Sequence, residues 1–227
     1  MKTLNFLKPS MLALFGAGLM MLSFTQQPPK QENRVNESAT VFSDFTKMKE
    51  SIPRELLEDT HGIIIVPKLV NAGLIVGGER GKGVAMVKNE DGKWSNPVFV
   101  TLTGGSFGLQ AGVQSTDLIL VFRHSRTLRN IGGGSFTLGG DIAVAAGPVG
   151  RNSSANTDYK LEAEAYSYSR SRGLFAGVSL KGVEVSVDKK SINSFYGQEY
   201  SAKTLFSQTR SSSVSVKGLK ATLERVD

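Results

Sequence analysis

Hydrophobic positions change their spacing along this chain, and each change marks a different kind of element. Val35, Ala39, Phe42, Phe45 and Met48 recur three and four residues apart, the period that gathers apolar side chains on one face of a helix. Lys47 and Lys49 fall near its end, where cations complement the helix dipole. A second, short helix is expected with Pro53 in its first turn and Leu56 and Leu57 turned inward, because proline's missing N–H is no loss there. From Gly62 the texture becomes short β-rich runs punctuated by glycine, at residues 63–66, 83–87, 98–102, 118–122 and 142–146. Tyr159, Leu161, Ala163 and Ala165 then alternate with Lys160, Glu162 and Glu164, and Val183, Val185 and Val187 alternate with Glu184, Ser186 and Asp188. That period of two predicts half-buried strands with one wet face. Lys181 and Gly182 supply a tight turn, so residues 174–180 and 183–187 are expected to pair as a hairpin.

Much of the glycine, 25 residues in all, lies inside these strand-like stretches. Glycine within strands marks bulges, bends and close backbone approach. The fold expected is therefore α+β, with predominantly antiparallel, strongly curved or barrel-like β structure, helices at the amino end and short helices at 191–196 and 201–207. One internal echo, GGSFGL at 104–109 and GGSFTL at 133–138, reads as two similar sheet corners. The tail from Arg210 is Ser-rich and then places Val214, Val216, Leu219 and Leu223 so that either a strand or a helix packs back.

The first 25 residues read as a secretory signal. Lys2 and Lys8 precede an uncharged, mostly apolar run at residues 10–24, which is shorter than the roughly 20 residues of a membrane span. Cleavage after Thr25 starts the mature chain at Gln26; the site lacks Ala-x-Ala, so an uncleaved anchor stays open as the other reading. Residues 26–34, QQPPKQENR, are expected to be a polar linker, residues 35–209 the domain, and 210–227 a tail. Either reading of the signal exports the domain. Cysteine is absent, which excludes disulfides, thiolate chemistry and an acylated lipoprotein anchor.

Removing the signal leaves 25 basic and 20 acidic residues. Residues 26–100 hold ten of each sign, so the whole excess lies after residue 100, with 15 basic against ten acidic. A basic face attracts anionic membranes or nucleic acid. Arg123, His124, Arg126 and Arg129 crowd together, with Arg126 and Arg129 on one face if the segment is helical; Arg170 and Arg172 flank Ser171, and Lys189 and Lys190 come after the expected hairpin.

Patterns that suggest enzymes are weak. Gly104, Ser106 and Gly108 satisfy G-x-S-x-G, but that chemistry needs a strand-to-helix turn and an ordered His; residues 109–113, directly after the motif, read as a strand. GGERGKG at 77–83 has G-x-x-x-G-K spacing with Gly83 at the hydroxyl position, so it reads as a β-turn with solvated Arg80 and Lys82 rather than a phosphate cradle. His61, at a helix-to-strand junction, reads as a capping or packed residue.

Several blocks in fixed order carry a family resemblance: IPRELLEDTHGIIIVP from Ile52, GGERGKGVAMVK from Gly77, GKWSNPVFVTLTGGSFGLQAG from Gly92, AAGPVGR from Ala145, YSYSRSRGLFAGVSLKG from Tyr166 and FYGQEYSAKTLF from Phe195. Over residues 47–206 these resemble the SYLF domain, a lipid-binding domain of bacterial envelope proteins and of eukaryotic trafficking and actin-patch proteins. The resemblance implies non-enzymatic binding of anionic phospholipid, with no cofactor or nucleic acid, in a periplasmic or envelope protein peripherally associated with the membrane. Arg123, Arg126, Arg129, Arg170 and Arg172 are the candidates for phosphate contact, with Lys47 and Lys49 secondary. Relatives of this family use a basic amphipathic helix leading into the domain; here Glu37, Asp44 and Glu50 dilute its basic character. The helix therefore has two readings, membrane insertion or packing over the sheet. Actin binding is not expected of an exported chain. The alternative function is a structural envelope protein that engages protein partners or itself.

Overall fold

A computed structural model describes residues 29–48, 51–73, 76–107, 112–148, 163–171, 174–177 and 180–225. The expected signal and residues 159–162 of the alternating segment lie outside the described residues.

Helix α1 (Lys30–Lys47) begins directly after Pro29, four residues before Arg34, the expected end of the linker. Arg34 itself is buried beside Val35, Val41, Phe42 and Phe45, so the helix starts where its inward face requires it. Glu32 in the first turn and Lys47 in the last suit the dipole. Helix α2 (Arg54–Glu58) comes after Pro53 and buries Leu56 and Leu57.

Nine strands form one mixed sheet: β1 (Gly62–Gly73), β2 (Val76–Val87), β3 (Val98–Phe107), β4 (Gly112–Phe122), β5 (Ser135–Leu138), β6 (Val144–Ala146), β7 (Ala165–Ser171), β8 (Leu174–Gly177) and β9 (Val183–Val187). Their order is β5-β9-β3-β2-β1-β4-β7-β6, with β8 also paired to β7, and the sheet curls into a nearly closed, barrel-like form. Among the described strands the β6–β7 pairing alone is parallel, beside an isolated parallel bridge between Leu138 and Ile142. The first four strands run well past the apolar segments seen in the sequence. Their core halves are apolar, whereas their far halves, such as VGGER and GVQST, carry glycine and polar residues with no hydrophobic signature.

Two expectations are corrected by the sheet. GGERGKG is not a β-turn but part of β2, paired with both β1 and β3. β1 changes register between Ile65 and Val70, with Lys68 at φ 60°, and this bulge presses onto β2. A Cβ on Gly83 would lie 2.2 Å from the Ile65 carbonyl oxygen, and one on Gly81 2.5 Å from Val66 Cγ1. The glycines serve close strand approach. The expected hairpin between residues 174–180 and 183–187 does not form either. Lys181 and Gly182 do make a turn, but β8 pairs with β7 and β9 inserts between β3 and β5. There Val185 sits opposite both Leu102 and Phe136, and all three are buried; two apolar neighbours outweigh one short local partner.

The AAGPVGR and YSYSRSRG blocks meet in space. β6 lies along β7 with Ala145 beside Tyr166, and the Ser167 hydroxyl donates to the Ala145 carbonyl at 3.1 Å. Tyr168 packs over Gly147, where a Cβ would come within 2.1 Å of its ring.

Helices α4 (Lys189–Tyr196), α5 (Ala202–Ser207) and α6 (Val214–Glu224) are each opened by a side-chain cap, from Asp188, Ser201 and Ser213. The tail is thus a helix. The Ser213 cap sets a register that buries Val216, Leu219 and Leu223 against α1 and leaves Val214 81% exposed. Helix α3 (Ser125–Arg129) comes just after β4. Among the described residues no helix is long and apolar enough to cross a membrane.

Candidate functional site

The first arginine cluster stands where β4 ends and α3 turns back. Thr127 and Leu128 are buried, which anchors the turn and sends its polar residues outward by different routes. Arg123 Nε donates to Asp59 Oδ2 at 3.0 Å, tying β4 to the end of α2. Arg129 donates to Asn89 Oδ1 and, at 3.3 Å, to the Ser125 hydroxyl. Arg126 is exposed. The three arginines are therefore close in the chain but do not converge on one point. A shallow cleft beside Arg129 is lined by His61, Lys88, Asn89, Ser207 and Thr209 together with Glu90 and Asp91. The nearby carboxylates offset much of its positive charge. His61 is exposed, with Nδ1 3.1 Å from the Asp59 carbonyl oxygen.

Arg170 has a different role. From β7 it reaches Asp44 of α1 at 2.9 Å and Asp117 of β4 at 2.7 Å, with its guanidinium over the Phe45 ring. Burial opposes the charge, but the hydrogen bonds to Asp117 and Asp44 more than offset it and raise the pKa. Arg170 is thus a tie between helix and sheet. Lys47 is exposed at the end of α1. Arg172 and Lys49 lie outside the described residues.

The two readings of α1 separate clearly. Val35, Phe42 and Phe45 are at most 2% exposed, so the apolar face that would enter a bilayer is occupied by the protein's own core. What α1 offers outward is a polar flank. Lys68 Nζ binds Glu37 Oε1 at 2.7 Å, Lys82 Nζ binds Asp188 Oδ2 at 2.6 Å, and Arg34 donates to the Ser191 hydroxyl at 3.2 Å while lying over the Phe99 ring. Burial would raise the Asp188 carboxyl's pKa, but hydrogen bonds from Lys82 and Ser191 hold it below the usual range. None of these pairs was legible as a cluster, because the partners lie between 31 and 157 residues apart.

Ser106 lies in a strand rather than at a strand-to-helix turn. β3 runs through it, paired with Gly77, and the next element is strand β4 rather than a helix. Among the described residues no group of His, Asp and Glu is arranged to hold a metal ion.

The comparisons with known proteins bear on this surface. A family model described as Ysc84, Las17-binding protein actin regulator, matches residues 103–226. The chain belongs to the Ysc84 family. That family is described by protein binding rather than by catalysis. The SH3 domain-containing YSC84-like protein 1 of Homo sapiens is 32% identical over 182 residues, covering 77% of this chain and 53% of that protein. Its Xenopus laevis counterpart is 31% identical over 179 residues, covering 76% and 53%. LAS seventeen-binding protein 3 of Saccharomyces cerevisiae is 29% identical over 189 residues, covering 79% and 41%. The chain spans about half the length or less of these Ysc84-family relatives.

Proposed function

We propose that this Ysc84-family protein is a non-enzymatic module that binds anionic phospholipid at the cell envelope, exported by its amino-terminal segment and peripherally attached. The supporting observation is how little of the basic excess after residue 100 is neutralised. In that part of the chain only Arg123 and Arg170 pair with carboxylates among the described residues. Arg126, Lys181, Lys189, Lys190, Lys203 and Lys217 are exposed and make no ion pair with another described residue. Each cation apposed to an anionic bilayer contributes about 1 kcal/mol, so three acting together give roughly a hundredfold in binding.

The test is sedimentation of purified protein with phosphatidylcholine vesicles, with and without phosphatidylglycerol, at low and high salt. Preference for the anionic vesicles, weakened by salt, is expected, since exposed charges are screened over about 8–10 Å at physiological ionic strength. Replacing Arg123, Arg126 and Arg129 together by Gln probes the first cluster. No binding to either vesicle at low salt would favour the second reading, engagement of protein partners, which the description of the family as Las17-binding supports.

A further inference from the structure

Five cations surround a cleft between the start of α1 and the β1–β2 pair: Lys30, Arg34, Lys68, Arg80 and Lys82. Glu37 is the carboxylate on its lining, and Asp188 reaches Lys82 and Arg34 from beside it. Asp117, paired with Arg170, also accepts from the Lys68 backbone N–H at 3.2 Å, so five positive groups against three negative ones leave a local net charge of +2. All three carboxylates are already engaged, whereas Lys30 and Arg80 are exposed and unpaired among the described residues. Lys68 and Lys82 keep 66% and 43% of their side chains exposed, so each retains donors for a further anion. The cleft measures about 600 Å³, within the roughly 300–1,000 Å³ of small-molecule sites.

The same face of the sheet becomes apolar just past the cleft. Val70 lines it, opposite Arg80 on one side and Ser115 on the other. Two residues further along β1, Ala72 lies opposite Gly78 and Val113. Directly paired residues, and residues two apart on a strand, share a face, so Val70, Ala72 and Val113 continue the wall that carries Arg80. Val70 is 40% and Val113 73% exposed. Glu79 alternates to the other face and is buried, and the carboxylate on this face, Asp117 two residues beyond Ser115, is held by Arg170 at 2.7 Å.

We propose that this cleft and the valine strip beyond it form the membrane-docking face: an anionic phospholipid headgroup sits among Lys30, Arg80, Lys68 and Lys82, while Val70 and Val113 enter the interfacial layer. The assignment rests on the lipid reading above and places the contact away from the Arg123–Arg129 turn. Charge complementarity selects the headgroup phosphate, and adjoining exposed valines favour a membrane over a free anion, which would gain nothing from them.

The experiment compares purified wild type with Lys30→Gln/Arg80→Gln, Val113→Ser and, as a control, Lys93→Gln at an exposed turn cation paired with Asp91, using phosphatidylcholine vesicles with and without phosphatidylglycerol. At about 1 kcal/mol per apposed cation, the double variant should bind anionic vesicles roughly 30-fold more weakly. Val113→Ser should bind several-fold more weakly through lost apolar burial, and Lys93→Gln should match wild type within about twofold. Folding is checked by thermal unfolding, which these exposed replacements should leave unchanged; Lys30→Gln alone gives a second, milder reading of the same site. Wild-type binding that both cleft variants retain would overturn this docking face and leave the lipid function standing. Binding of wild type to neither vesicle would overturn both. Displacement from vesicles by millimolar glycerol phosphate, with Val113→Ser unaffected, would make the cleft a soluble-anion site and refute membrane docking.

Discussion

Gly83→Ala should be among the most damaging single-methyl additions to this protein, although it only adds one carbon to a glycine-rich motif. The new Cβ would stand 2.2 Å from the Ile65 carbonyl oxygen and 2.9 Å from its carbon. Reaching ordinary contact at 3.4 Å requires a movement of about 1.2 Å. Backbone has to supply it, because the obstructing atoms belong to β1 rather than to the end of a side chain. β2 has little freedom to retreat, since it is hydrogen-bonded to β3 on its other edge, and β1 is held between β2 and β4. Overpacking costs about 1–3 kcal/mol, and disturbing one or two ladder hydrogen bonds adds about 1 kcal/mol each. The reduced entropy of the unfolded chain returns about 0.4–1 kcal/mol. The net expectation is a loss of about 3 kcal/mol, or roughly 6–12 °C in unfolding midpoint for a chain of this size. Gly105→Ala is the matched comparison: it lies in the paired strand β3, where an added Cβ meets nothing within 4 Å, and should change stability by less than about 0.5 kcal/mol. Urea unfolding of both variants decides the matter. A Gly83→Ala protein within about 1 kcal/mol of wild type, or a Gly105→Ala protein equally weakened, would refute the close-approach account of GGERGKG.

Three further outcomes are expected. Phe45→Ala should lower unfolding free energy by about 3–5 kcal/mol in urea titrations, because α1 is core; a loss below about 1 kcal/mol would return the helix to the membrane. Arg170→Met should cost about 1–3 kcal/mol by leaving Asp44 and Asp117 unpaired, and a double-mutant cycle with Asp117→Asn should show coupling, whereas additive losses would deny the tie. Lys220 is buried with its ammonium donating to Asn96 Oδ1 and the Thr209 carbonyl, and burial pulls its pKa from 10.5 down to about 8. Between those values the unfolded chain holds more protons than the folded one, so this group's contribution to stability rises with pH from about 8 to 10.5. Lys220→Met should flatten the curve there, and an unchanged slope would contradict the assignment.

The inward face of α1 and the apolar halves of β1 to β4 were legible because local periodicity reports burial directly. The polar extensions of those strands were not, since VGGER and GVQST acquire β structure from their neighbours rather than from their own composition. VEVSV announced a strand without announcing its partners, and a choice among three sheet edges lies beyond a local pattern. The same limit governs the candidate surface. Arg123, Arg126 and Arg129 are adjacent in sequence and visible as a cluster, yet two of them are spent on contacts within the fold. Lys30, Lys68 and Arg80 are scattered through residues 26–100, where the charges sum to zero. Only the crossing of α1 over the sheet gathers them, and charge counting along the chain averages that concentration away.

The packing of α6 on α1 sets the order in which the molecule can be completed during synthesis. Val35, Phe42 and Phe45 emerge before any strand of the sheet, while part of their cover, Val216, Leu219 and Leu223, follows all nine described strands. Until α6 arrives, a greasy stripe on α1 stays partly bare, and the growing chain is a client for any chaperone that holds such stripes. A chain stopped after α5 should accordingly accumulate as aggregate or as a chaperone-bound species rather than as a slightly smaller folded domain. The eleven-residue helix α6 acts as the closing latch on a domain whose described sheet is fully synthesised before it.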